Sequence, residues 1–122
     1  MSDELTRVLL VEDDPAHAEL VRRAFAMRDR RVELHVAETL GEARGCLAEP
    51  PGLPHLVISD WRLPDGEGME LLTDERLSDV PVIIMTSQGN ERLAVGALKA
   101  GALDYVVKSE TTLLDMPHIA ER

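Results

Sequence analysis

Short β-branched, apolar runs alternate along this chain with stretches in which apolar residues recur every three or four positions. That alternation is the pattern of repeated βα units on a parallel sheet. Arg7–Val11 reads as the first strand, after which Asp14 and Pro15 open a helix as N-cap and first helical residue. Leu20, Val21, Ala24 and Phe25 make its apolar stripe. Val32–Val36 alternates apolar and polar side chains, as an edge strand with one solvated face does, and Leu40–Ala48 is a helix diluted by Gly41 and Gly45. Leu56–Ser59 is nearly all apolar, as a central parallel strand should be. The Pro50–Pro54 cluster before it is a loop rather than a linker, because the strand begins at once.

Gly68–Leu77 predicts a third helix, Val80–Met85 a fourth strand, and Arg92–Ala100 a fourth helix stopped by Gly101 in a C′ role. Leu103–Val107 is the fifth strand, with Leu103 and Val107 assigned to the core by its period. Beyond Leu113–Met116, Pro117–Arg122 reads as the first turns of a last helix cut short, so residues 1–122 are taken as the amino-terminal piece of a larger protein. Five βα units imply an α/β fold, a three-layer sandwich with helices on both faces of the sheet.

Four of the apolar runs end in reactive groups: Val8–Val11 in Glu12, Asp13 and Asp14, His55–Ser59 in Asp60, Val80–Met85 in Thr86 and Ser87, and Tyr105–Val107 in Lys108. Neighbouring parallel strands bring such groups to one carboxyl-terminal edge, where open α/β sheets bind ligands. Asp14 alone is a helix cap, Lys108 alone a surface lysine, and Thr86 alone an ordinary strand-end hydroxyl. Three carboxylates at adjacent strand ends are different, because partial burial of like charges calls for a cation. Mg²⁺ is the expected cation, since it takes one or two carboxylates and leaves positions for phosphate oxygens. Glu12, Asp13 and Asp60 are its candidate ligands, with the backbone carbonyl of Arg62 as a further one. An aspartate beside a cation, a lysine and a hydroxyl describes phosphoryl transfer to Asp60, with positioning and charge neutralisation supplying the catalysis.

Thirteen basic against 23 acidic residues give a net charge of −10, which argues against direct contact with nucleic acid or anionic membrane. The single Cys46 fits a reducing cytosol and reads as a small core residue. No apolar run approaches the roughly 18 residues of a membrane span, and Met1–Leu5 has no signal-peptide character, so a cytoplasmic location is expected. The four histidines lack ligand spacing, and the chain has no G-x-x-x-x-G-K-[ST] loop for a nucleotide.

The motifs Leu9–Asp14, Ser59–Asp60 with Leu63–Gly66, Ile84–Ser87 and Lys99–Lys108, in that order and spacing, resemble the receiver domains of two-component response regulators. The resemblance implies a flavodoxin-like parallel sheet of order 2-1-3-4-5, the order of the chemotaxis receiver of that family. It implies a signalling domain rather than an enzyme. Asp60 would accept a phosphoryl group from the phosphohistidine of a sensor histidine kinase or phosphotransfer domain, and kinase or output domains could be linked to it covalently. Asp13 would be a direct Mg²⁺ ligand and Glu12 would act through water. Thr86 and Lys108 would contact the phosphoryl group, Thr86 and Tyr105 would form the switch, and the surface of the fourth helix, fifth strand and fifth helix would read it out. Arg62 and Gln88 flank the site and would influence the lifetime of the phosphoryl group.

Ser109 departs from the family, which commonly has a cis-proline after the lysine, so the loop there is expected to be less fixed. Ser87 is larger than the usual residue. A receiver-shaped interaction module that is not phosphorylated and a small Mg²⁺-dependent phosphatase are the alternatives. The phosphatase reading wants a second carboxylate where Arg62 stands.

Overall fold

A computed structural model describes residues 5–28, 31–50 and 52–120. The expectations for residues 1–4, Pro51 and residues 121–122 lie outside them. Five parallel strands, β1 (Thr6–Val11), β2 (Val32–Ala37), β3 (Leu56–Asp60), β6 (Val82–Thr86) and β7 (Asp104–Val107), form the main sheet in the order β2-β1-β3-β6-β7. Counting only these strands, this is the expected 2-1-3-4-5 order. Between β3 and β6 lies a two-residue antiparallel ladder that sequence pattern did not predict, β4 (Arg62–Leu63) with β5 (Gly66–Glu67).

Period-two alternation splits the core. Leu9, Val11, Val57, Val82 and Ile84 face one side and pack against α2 (Leu40–Ala48), α3 (Glu91–Lys99) and the turns before β6. Val8, Leu10, Ile58, Ile83 and Met85 face the other, against α1 (Pro15–Arg28) and the two carboxyl-terminal helices. Because β3 and β6 are buried at every position, their sequences are near-continuous apolar runs. Edge strand β2 instead alternates half-buried and exposed residues up to Ala37, as expected.

Asp14 caps α1, its Oδ1 accepting from the N–H groups of Ala16 (2.9 Å) and His17 (3.3 Å). Gly101, at φ 110°, closes α3 by donating to Leu98 O. An unforeseen cap lies at α2, where Asp65 accepts from Leu40 N (2.8 Å) and Gly41 N (2.9 Å), tying the loop after Asp60 to that helix.

Three expectations are corrected. Gly68–Leu77 is not an α-helix but two 3-10 segments, Gly68–Thr73 and Glu75–Leu77. Asp74 divides them, its carboxylate accepting from Arg76 N and pairing with the Arg76 guanidinium, a local bond that competes with the helical ladder. Leu103 and Val107 are not core: they are 43% and 42% exposed, because β7 is an edge strand and its inward residue is Val106. The last helical segment does not begin at Pro117. It runs as α4 (Glu110–Leu114) and α5 (Met116–Ala120), with Pro117 in the first turn of α5, where a missing N–H is tolerated. Cys46 is half-buried against the first core cluster, and burial with Glu42 and Glu49 nearby pushes its thiol up.

Leu113, Met116 and Ile119 bury themselves against α1 and the sheet, so this carboxyl-terminal pair completes the second core. Leu113→Ala should therefore cost about 2–5 kcal/mol, read as a fall in the urea midpoint at unchanged slope.

Candidate functional site

Single backbone hydrogen bonds at the carboxyl ends of the strands hold the site residues. Glu12 N donates to Ala37 O (2.9 Å), Trp61 N to Met85 O (2.6 Å) and Lys108 N to Thr86 O (2.7 Å). Each continues the ladder past a strand end, so the side chains of Glu12, Asp60 and Lys108 rest on the rigid sheet rather than on free loops.

Lys108 Nζ donates to Asp60 Oδ1 at 2.7 Å and lies 2.8 Å from Glu12 Oε1. Glu12 is 1% exposed and Asp60 6%. Glu12 Oε1 is in ionic contact with the ammonium but receives no directed hydrogen bond. Its other oxygen accepts from Asp14 N at 3.1 Å. Asp13 is exposed at the rim, and carboxylate oxygens of Glu12, Asp13 and Asp60 lie within 4.8 Å of one another. Burial, with Glu12 beside it, pushes the Asp60 carboxyl up to about 8 despite Lys108. Burial works against the Lys108 ammonium, but its hydrogen bond to Asp60 and its contact with the Glu12 carboxylate outweigh that and hold its pKa above the ordinary lysine value.

Two buried carboxylates against one ammonium leave a negative charge over, and an exposed third carboxylate adjoins them. An orphaned buried oxygen within an all-oxygen donor set fits a hard divalent cation. The residues open into a cleft of about 430 Å³ that Arg62, Thr86, Ser87 and Gln88 also line.

Of the residues singled out in the sequence, Glu12, Asp13, Asp60, Thr86, Arg62 and Lys108 meet at this cleft. Thr86 Oγ1 accepts from Gln88 N at 3.3 Å. Tyr105 does not line the cleft. It is half-buried, and its hydroxyl stands at 3.5 Å from Gln88 O.

Two contributors are not evident from the sequence pattern. His17, on the first turn of α1, places a buried Nδ1 3.8 Å from Glu12 Oε1 and 3.6 Å from Asp14 Oδ2. Its position three residues after the capping Asp14 was the available signal. Gly68 donates its N–H to Trp61 O, and a Cβ there would collide with Asp60 O and Ser59 Oγ. The repeated glycine in Gly66–Gly68 hinted at that close approach.

A family model described as response regulator receiver domain matches residues 8–116. The methanogenesis regulatory protein FilR1 of Methanothrix harundinacea is 44% identical over 117 residues, 93% of this chain and 26% of its own length. The KDP operon transcriptional regulatory protein KdpE of Escherichia coli is 42% identical over 105 residues, 85% of this chain and 45% of its own length. The chain thus spans from about a quarter to just under half of these curated relatives. Among solved structures, the phosphorylated cyanobacterial phytochrome response regulator RcpA shares the fold at a TM-score of 0.84, with 24% identity, covering 96% of this chain and 91% of its own. The Mn²⁺-bound form of response regulator Rcp1 gives 0.80 at 26% identity, covering 95% and 91%.

Two outcomes are expected at this site. Gly68→Ala should cost about 1–3 kcal/mol of stability by forcing backbone apart beside Asp60, measured by chemical denaturation. With its folded pKa raised from 3.8 to about 8, Asp60 keeps a proton that the unfolded chain has lost. Its contribution to the metal-free protein is complete below pH 3.8 and is lost as pH rises through about 8. The denaturation midpoint of Asp60→Asn relative to wild type should therefore climb across that window, and a flat difference would contradict the shift.

Proposed function

Because this chain belongs to the response regulator receiver domain family, we propose that Asp60 is the phosphoryl acceptor of a two-component signalling system. The observation that carries the reading is Lys108 Nζ held 2.7 Å from Asp60 Oδ1, with Glu12 and Asp13 at the same strand edge. In the step, an Asp60 carboxylate oxygen forms a bond to phosphorus. The P–N bond to a histidine of a sensor kinase or phosphotransfer domain breaks, and the imidazole leaves with the electron pair.

Glu12, Asp13, Asp60 and the Arg62 carbonyl would hold Mg²⁺, which when bound neutralises surplus charge and keeps Asp60 ionised. Lys108 holds an acceptor oxygen in the ground state and is placed to pair with the incoming phosphoryl oxygens. Thr86, at the end of β6, offers its hydroxyl to the same oxygens by giving up the 3.3 Å contact with Gln88 N. As Thr86 moves, Tyr105 turns from Gln88 O, and the surface of α3, β7 and the α4–α5 pair changes. Val95, Leu98, Leu103 and Val107 are exposed on those elements or beside them, which supports a docking role for that face.

No helix among the described residues is long and apolar enough to cross a membrane. Cytoplasmic location follows in this reading from the kinase that supplies the phosphoryl group. The net charge of −10 leaves nucleic acid to any linked domain.

Trp61, the only tryptophan, lines the cleft next to Asp60. Its emission should change on Mg²⁺ addition and again on adding beryllofluoride, the second change being absent in Asp60→Asn. No Mg²⁺ response would leave an unphosphorylated interaction module. A Mg²⁺ response without the second step would point to other metal chemistry.

A further inference from the structure

Resting on that reading, Lys108 has to be presented to Asp60 from the residue that follows an edge strand, where the sheet supplies only one hydrogen bond, Lys108 N to Thr86 O at 2.7 Å. We propose that the Thr112 hydroxyl, braced by Ser109, is the positioning group that fixes Lys108 for phosphoryl contact.

The hydroxyl straddles the lysine. Thr112 Oγ1 donates to Val107 O at 2.8 Å and accepts from Ser109 N at 2.8 Å, so it grips the peptide groups before and after Lys108. With Lys108 N on Thr86 O, three of the polar groups flanking the Lys108 Cα are held: Val107 O, Lys108 N and Ser109 N. Ser109 Oγ in turn accepts from Thr112 N at 3.1 Å, a reciprocal capping box that opens α4. Leu113, 1% exposed, anchors that helix in the core one residue on. The chain is thereby clamped from the core, through Thr112, to the backbone carrying Lys108. An ordinary cap would satisfy the helix N–H groups alone. This one also takes up the carbonyl that precedes the lysine, which belongs to β7 and not to the helix. The loop expected to be less fixed without proline is held by hydrogen bonds instead.

The test uses the full chain, with Trp61 emission following Mg²⁺ and then beryllofluoride at saturating Mg²⁺. Thr112→Val keeps the shape and loses the hydroxyl's contacts with Val107 O and Ser109. It should weaken beryllofluoride binding about tenfold, the scale of losing one charge-assisted hydrogen bond, while the Mg²⁺ midpoint stays within about twofold. Thr112→Ser restores wild-type binding, and Val at the exposed neighbour Thr111 leaves it unchanged. If Thr112→Val does not fold, Ser109→Ala removes only the brace and should weaken beryllofluoride about threefold, at the mild end of N-cap losses. Unchanged beryllofluoride affinity in the folded Thr112→Val protein, or in Ser109→Ala in its place, would overturn the positioning role, as would an equal loss of Mg²⁺ affinity. A wild-type chain that binds Mg²⁺ and not beryllofluoride would instead overturn the phosphoryl-acceptor reading, and the positioning role with it.

Discussion

Two carboxylates buried against a single ammonium set the terms for the rest of this molecule. Desolvating an ion costs several kcal/mol even after relaxation, and Glu12 and Asp60 are both almost wholly out of water. Packing gives no reason for that arrangement, since apolar residues at the same strand ends would bury at no electrostatic cost. What makes it tolerable is rigidity. Asp60 ends the strand that lies between β1 and β6, Glu12 is tied to β2, and Lys108 is tied to β6, so the three groups keep their places with little freedom to separate. Burial, with Glu12 beside it, pushes the Asp60 carboxyl up to about 8, so that without a cation a proton meets the surplus charge.

The strands and the site were the legible part of the chain. β3 and β6 are buried on both faces, so their burial writes itself as unbroken apolar runs, and a polar residue ending such a run stands out. Asp60 and Thr86 stand out for that reason. The strand order came from family resemblance, because periodicity alone does not say which strand lies beside which. The third helical segment was misread because apolar spacing is shared by α and 3-10 turns over so short a stretch. What decided between them was Asp74, whose side chain competes for backbone N–H groups. Leu103 and Val107 were misplaced because an edge strand at the sheet's end has no helix over every apolar side chain. In the sequence His17 is one of four scattered histidines. Its partner Glu12 lies in another element, a contact that only the turn into α1 creates.

Strong and weak links are distributed unevenly around the site, and under the proposed function that distribution bears on signalling. Lys108, Asp60 and Glu12 are joined by contacts of 2.7 and 2.8 Å, nearly shielded from solvent. Moving outward, Thr86 Oγ1 meets Gln88 N at 3.3 Å, and the Tyr105 hydroxyl stands 3.5 Å from Gln88 O, at the outer limit of hydrogen bonding. A switch needs such a gradient. The charged centre must hold its geometry through the chemistry, while the connection to the surface must break for a difference of a few kcal/mol. Thr86 lies where the two regimes meet. Its carbonyl belongs to the rung that fixes Lys108, and its hydroxyl belongs to the loop that Tyr105 touches. Under the proposed function, a new bond to that hydroxyl can therefore pull on the loop without loosening the rung. The exposed apolar side chains on and beside α3 and β7 are then within one loop of the charged centre, with no need for a rearranged core.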